Sequence, residues 1–270
     1  MSEFRAVDRR AGHDQRVTSA NWTDRFVSTF KPSMSRTEIG AWRSVFGDEY
    51  PEGVEPYSYV SKSELETIRN ELRLGAGAQL VDVGCGRGGP GLWIAAAAGA
   101  TLTGVDIAAP ALAHAEQRAK DLGVAGRFVL GSFQSMPVES GSANGVVSID
   151  ALVFAPDKRA AIEECARVLV PMGRIAFTTW DFSRQPPDRP PQLDDHRAVL
   201  EESGFRVLRY DETTAWRARQ EGVNAALLAG VDSWAAETGF TVDELRGRVE
   251  NMAATFSSVR RRILVVAEKV

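Results

Sequence analysis

The run Val81-Asp82-Val83-Gly84-Cys85-Gly86-Arg87-Gly88-Gly89 carries an apolar strand into a loop whose side chains almost vanish. Glycine tolerates left-handed backbone angles and lets a bound molecule approach the main chain. Gly84 and Gly86 therefore read as a tight turn, and Gly88 or Gly89 as the opening of a helix. Strand, glycine turn and helix in that order describe a cofactor-binding bend. Gly84, Gly86 and Gly89 also satisfy the G-x-G-x-x-G spacing, and Asp106 follows about 20 residues on, where a carboxylate meets ribose hydroxyls. Charge separates the possible ligands. Asp82, at the strand end, opposes a pyrophosphate but attracts a cationic ammonium or sulfonium. Arg87 is the only offset in the loop, and no P-loop Lys-Ser/Thr follows it.

At this point the chain resembles the class I S-adenosylmethionine (SAM) dependent methyltransferases, whose first motif is a hydrophobic run followed by Asp-x-Gly-x-Gly. The resemblance extends through Leu102-Thr103-Gly104-Val105-Asp106-Ile107 as the second strand, Phe128 to Phe133 as the third and Val146 to Leu152 as the fourth. Arg167-Val168-Leu169-Val170-Pro171-Met172-Gly173 matches the family's helix-to-turn before the fifth strand. It covers roughly residues 60 to 214 and the last strand, and is similar in detail to bacterial methyltransferases of small molecules and natural products. It implies SAM as cofactor, held by Asp82, Gly84, Cys85, Gly86 and Gly88, with Asp106 on the ribose. Ile107, Ser132, Phe133 and Ile149 would surround the adenine side, and Tyr59 or Ser61 would close over the methionine part.

Two positions depart from the family pattern. Ser132 stands where an Asp usually accepts from the adenine amino group, and a neutral bond is about half as strong as a charge-assisted one. Met172 replaces a turn glycine, which is expected to alter turn geometry only.

A chain of 270 residues can bury a sizeable core. Its net charge of −4 and pI near 5.6 argue against a nucleic acid partner, which ordinarily meets a basic field. Two cysteines, Cys85 and Cys165, form no disulfide framework and fit a reducing cytoplasm. No run of about 18 apolar residues suggests a membrane span. No His/Asp cluster gathers metal ligands at usable spacing, so no metal is expected. A monomer or homodimer is expected.

From about residue 79 to 214, apolar strands alternate with amphipathic helices, the sign of a doubly wound parallel sheet. The expected fold is α/β and Rossmann-like, with a mainly parallel seven-stranded sheet whose last strand, around Ile263 to Ala267, inserts antiparallel beside the fifth. Four parts are expected: a helical N-terminal cap (1–60), the SAM-binding core (61–214), a helical lid insertion (215–259) and the last strand (260–270). The cap is rich in scattered aromatics, among them Trp22, Phe26, Phe30, Trp42 and Tyr57. The insertion reads as two helical stretches, one carrying Val223, Leu227, Val231 and Trp234, the other opened by a Thr241 to Glu244 capping box. Cap and lid are expected to wall a substrate cavity, and their aromatics imply an apolar, ring-bearing substrate.

Methyl transfer needs in-line approach, exclusion of water and sometimes a base. Of the three histidines, His114 lies off the apolar face of its helix and His13 in an N-terminal arm. His196 falls in the first turn of the helix after strand five, at the sheet edge where ligands bind, and the helix N-terminus favours its neutral, basic form. It also shares a face with Val199 and Leu200, as a packed structural histidine would. Asp150 follows the fourth strand and is placed to orient or deprotonate a substrate, or to bond neighbouring backbone amides. The candidate catalytic residues are thus His196 and Asp150. The expected activity is methyl transfer to O, N or C of a small apolar metabolite, with positioning dominant. The fold also admits a SAM-binding cyclase or isomerase that transfers no methyl, a non-catalytic SAM-binding protein or a nicotinamide oxidoreductase.

Overall fold

The computed structural model describes residues 24, 26, 27, 30, 34–186 and 189–270. His13 and Trp22 lie outside the described residues. The sheet consists of β1 (Gln79–Val83), β2 (Thr101–Asp106), β3 (Gly126–Leu130), β4 (Ala143–Ile149), β5 (Leu169–Phe182), β6 (Phe205–Glu212) and β7 (Val259–Lys269). Their spatial order is β3-β2-β1-β4-β5-β7-β6, with β7 antiparallel to both β5 and β6 and the remaining pairs parallel. The expected Rossmann-like, mainly parallel seven-stranded sheet is therefore present. β5 and β7 run longer than their apolar cores suggested, because each continues the ladder past the last core residue, Asp181 pairing with Arg261 and Arg174 with Glu268.

Helices cover both faces, and their starts are written in the sequence. α1 (Arg36–Phe46) and α2 (Lys62–Leu72) open on capping boxes at Ser35 and Ser61. α3 (Gly89–Ala98) follows Gly88, whose φ of 77° supplies the left-handed cap, and α4 (Ala109–Leu122) ends at Gly123. Gly91 brings α3 against β1, since a Cβ there would sit 2.4 Å from Asp82 Oδ2. α5 (Lys158–Val168) is capped by Asp157 and buries Ile162 and Cys165. α6 (Arg197–Glu202) is shorter than expected and takes His196 as its N-cap.

The insertion differs from expectation. It holds three helices, α7 (Trp216–Ala229), α8 (Val231–Thr238) and α9 (Val242–Phe256), because Gly230 breaks the first stretch between Leu227 and Val231. These helices join α1 in one apolar layer with Trp42, Tyr59, Trp180 and Phe256. Tyr59 packs at 5.8 Å from Trp42 and edge-on to Phe256 at 5.6 Å. No helix among the described residues is long and apolar enough to cross a membrane.

Arg262 of β7 joins this layer to the sheet and is 0 % exposed. Its Nε and Nη2 donate to the two oxygens of Asp150 at 3.0 and 3.1 Å, and Nη1 donates to Glu64 at 2.9 Å and Thr213 at 3.1 Å. Burial opposes its charge, yet Asp150 and Glu64 more than restore it and raise its pKa. Replacing Arg262 by Met leaves two acids beneath the helices without a counter-charge, so chemical denaturation is expected to show a loss of about 3–5 kcal/mol. The companion change Asp150→Asn should recover part of it.

Met172 takes a φ of 63° and is 62 % exposed, so it holds a left-handed angle with little packing in return. The turn is strained as well as altered. Met172→Gly is expected to stabilise the protein by about 0.5–1 kcal/mol in the same assay, the released strain exceeding the added unfolded-state entropy.

Candidate active site

The strand order reverses between β1 and β4, and the glycine turn emerges at that switch, where the carboxyl ends of the strands leave a crevice. Gly84 and Cys85 donate their amides to Val105 O at 2.8 and 3.1 Å, which ties the turn to the tip of β2. Asp106 completes the tie by accepting from Gly86 N at 2.8 Å and Ala108 N at 2.9 Å. Gly84 and Gly86 have φ of 72° and 50°. A Cβ on Gly84 would meet Ala151 Cβ at 2.6 Å and the Phe133 ring at 2.9 Å, so the bend is closely packed as well as left-handed.

Two acids flank this bend. Burial raises the Asp106 carboxyl, while the amides of Ala108 and Gly86 pull it back. Asp82 has less help. Burial, and then the charge of Asp106, push it up to about 7 against one backbone amide from Gly91, and its Oδ2 has no hydrogen-bond partner. Cys85, next to both, is held as the thiol by burial and by Asp82 and Asp106. It serves as wall and not as nucleophile.

These groups line a cavity of about 760 Å³, within the size range of small-molecule sites. Ile107, Ser132, Phe133 and Ile149 form its sides. Phe26, Phe30, Tyr57 and Phe154 form an aromatic roof, with Phe26 edge-on to Phe154 and Phe30 to Tyr57, each at 4.9 Å. At one edge Glu55 receives Arg87 at 2.7 Å and Arg118 at 3.8 Å, and Arg118 donates back to Arg87 O at 3.0 Å. Glu55, Arg118, Gln134 and Pro156 were not singled out by sequence, since nothing in the spacing of such ordinary residues marks them. The separate segments meet only in the folded chain.

Of the expected site residues, Asp82, Gly84, Cys85, Gly86, Asp106, Ile107, Ser132, Phe133, Ile149 and Asp150 come together around this cavity. Others do not. Gly88 faces away, toward Ala115, Leu92 and Phe128, and acts as the cap of α3. Tyr59 points into the helical layer and donates its hydroxyl to Met252 Sδ at 3.1 Å, while Ser61 is spent on capping α2. Tyr57 and Ser58 line the cavity in their place. The insertion helices α7 to α9 contribute no lining residue, so they do not wall this cavity as expected. Their apolar faces are used up against α1 and β5.

Both catalytic candidates are corrected by their partners. His196 is 1 % exposed, lies outside the cavity and pairs through Nδ1 with Asp181 at 3.0 Å. Burial would raise Asp181, but donors from His196, Tyr210 and Arg261 outweigh it and hold the carboxyl low. The cluster is a buried support that ties β5, β7 and β6 together. Asp150 touches the cavity, yet it accepts from Thr178 Oγ1 at 2.7 Å, Tyr59 N at 2.9 Å and two Arg262 nitrogens. A carboxylate so engaged is no general base. Among the described residues, no group of three or more His, Cys, Asp and Glu is placed to hold a metal ion. His196→Ala is accordingly expected to lower stability by about 1–3 kcal/mol, by removing one of the three side-chain donors of Asp181 and leaving a void where the buried ring packed. Its SAM affinity, measured by calorimetry, should stay within about twofold of the parent protein.

Comparison with known proteins agrees with this geometry. Residues 81–177 match the family profile of a methyltransferase domain. Methyltransferase GfsG of Streptomyces halstedii is 31 % identical over 129 residues, covering 47 % of this chain and 46 % of the relative. Squalene methyltransferase 1 of Botryococcus braunii is 30 % identical over 188 residues, covering 68 % and 48 %. The chain thus spans about half the length of these curated relatives. Among solved structures, the [4+2]-cyclase SpnF shares the fold with a TM-score of 0.70 at 19 % identity, covering 93 % of this chain and 96 % of that one. With a buried acid at each of two strand tips, a glycine bend between them and the matching profile, the chain carries a methyltransferase domain of the class I, S-adenosylmethionine-dependent family.

Proposed function

We propose that the protein transfers a methyl group from SAM to an O, N or C atom of a small, largely apolar metabolite. The observation that carries this reading is the pair of buried acids around the glycine bend, with no phosphate-binding lysine in the loop, beneath an aromatic roof. The residues fit the cofactor. The unpartnered Asp82 Oδ2 asks for a positive charge, and Gly84 and Gly86 line the cavity with left-handed backbone that carries no side chain. Bound SAM would supply an electrophilic methyl on a cationic sulfur. Asp106, anchored by two amides, keeps lone pairs for ribose hydroxyls. Ile107 and Phe133 offer apolar faces to adenine, and Ser132 offers a hydroxyl.

The chain's further contribution is position and dryness. Phe26, Phe30, Tyr57 and Phe154 exclude water and orient an apolar acceptor against the floor. Apart from the two acids assigned to the cofactor, Asp82 and Asp106, the described lining supplies no available base: Asp150 is saturated, Glu55 is clasped by Arg87 and Arg118, and Cys85 keeps its proton. An acceptor that brings its own nucleophilicity, such as an amine, a phenol or the electron-rich alkene carbon suggested by the relative named for squalene, suits such a site. The net charge of −4 and a cavity of about 760 Å³ favour a metabolite over a nucleic acid.

The cyclase fold neighbour motivates a second reading, in which the same site binds SAM and rearranges a substrate without methylating it. Incubation with SAM and a panel of polyketide, terpenoid and phenolic acceptors distinguishes them. Stoichiometric S-adenosylhomocysteine and a product heavier by one methylene support transfer, whereas a product of unchanged mass supports the cyclase. In either case Asp106→Asn should weaken SAM binding about 10- to 100-fold, the worth of one or two charge-assisted hydrogen bonds.

A further inference from the structure

Asp82 is the least satisfied charged group at the floor of the cavity. It pairs in register with Gly104 on β2 and Val147 on β4, neither of which brings a polar side chain. From β2 the facing titratable group is Asp106, from the glycine loop it is the Cys85 thiol, and from α3 only the Gly91 amide reaches it. The Ser148 hydroxyl of β4 is engaged with Val83 O at 2.9 Å. None of these neighbours is a cation. Arg87 of the same loop faces Glu55 and His114 instead.

The two acids are not equivalent. Asp106 is met by two backbone amides through its two oxygens, which favour its ionised form. Asp82 has an orphaned oxygen in full burial, pressed against the Gly91 backbone with no room for a side chain between them. A buried carboxylate without a partner is relieved either by a proton or by a cation. Near neutral pH both are within reach, because burial and Asp106 lift this carboxyl to about 7.

Resting on the methyltransferase reading of the site, we infer that on the acid side of neutrality Asp82 holds a proton when no cationic ligand is bound and surrenders it when a positively charged adenosine derivative enters. The residue then selects for charge: a cation replaces the proton at little electrostatic penalty, and a neutral adenosine compound has nothing to exchange. Cofactor affinity follows the same rule. As pH falls through the carboxyl's value, the proton competes with the ligand, so binding weakens on the acid side and levels off above it.

The stability of the ligand-free protein moves in the opposite sense. An acid whose folded value lies above its unfolded value of about 4 favours folding while protonated. That contribution is lost as pH rises from about 4 to about 7. Asp82→Asn, which mimics the protonated acid, should therefore melt higher than the parent at pH 7.5 by roughly a few degrees, even as it loses affinity for a cation. A merely structural aspartate would move the other way.

The test is calorimetry of the full chain with SAM at pH 6 and pH 7.5, each in two buffers of different ionisation enthalpy, with neutral 5′-methylthioadenosine as the uncharged probe. SAM should release close to one proton per site at pH 6 and bind roughly eightfold more tightly at pH 7.5, as a carboxyl near 7 requires. Methylthioadenosine should release almost none, and Asp82→Asn should bind SAM with no pH dependence over this range. SAM binding without proton release, equal release with methylthioadenosine, or an unchanged pH slope in the variant would each overturn the inference while leaving the cofactor reading intact. No SAM binding at either pH would overturn both. Should the variant fail to fold, the two-ligand comparison on the parent protein decides alone.

Discussion

Two buried carboxylates on neighbouring strand tips are a destabilising arrangement, and much of the sheet end is organised to tolerate them. Asp106 is answered by amides donated from the bend it helps to hold, so its charge is used as a structural tie. Asp82 is not answered in this way, and the glycines around it admit helix α3 and the bend at van der Waals distance without offering a counter-charge. The result is a floor that is rigid, bare and electrically unfinished. A ligand that brings positive charge and no phosphate completes it.

The second charged cluster has the opposite character. Arg262 binds Asp150, Glu64 and Thr213 together with every nitrogen engaged, and Asp150 is further held by Thr178 and Tyr59. This network fastens β4, α2 and β7 where the helical layer meets the sheet. It also removes Asp150 from acid–base chemistry and fixes the start of the segment that carries Phe154 into the cavity roof. The His196, Asp181, Tyr210 and Arg261 cluster does equivalent work on the opposite face of the same strands, Arg261 being the neighbour of Arg262 on β7. These networks build the frame, whereas the unpartnered Asp82 oxygen belongs to a residue that lines the cavity.

The division of labour bears on mechanism. In the proposed reaction, an aromatic roof over a charged floor would position an acceptor and exclude water, which are the two requirements of displacement at a methyl carbon. The helices of the insertion stand back from the described cavity, so its shape is set by short segments around Tyr57 and Phe154 and by Phe26 and Phe30. The buried apolar residues of these helices pack with Trp42 of α1 and Trp180 of β5 and contribute nothing to the cavity lining.

Much was legible in the chain itself. Apolar strands alternating with amphipathic helices announced the sheet, because burial on two faces demands continuous apolar runs. Glycine spacing and the acids at positions 82 and 106 announced the floor, because left-handed bends and strand-end charges are local properties of a few residues. The capping boxes at Ser61 and Thr241 began helices where their hydrogen bonds allow. What tertiary structure alone decided was the partnership of each polar group. Asp150 and His196 were placed at the right sheet edge by sequence, but Arg262, 112 positions away from Asp150, and Asp181, 15 away from His196, determine that neither is free to act. Tyr57 and Tyr59 are likewise indistinguishable in a list of aromatics, and only packing sends one to the cavity and the other into the helical layer. Local pattern specifies backbone and burial, whereas the availability of a charge depends on neighbours that only folding brings within 3 Å.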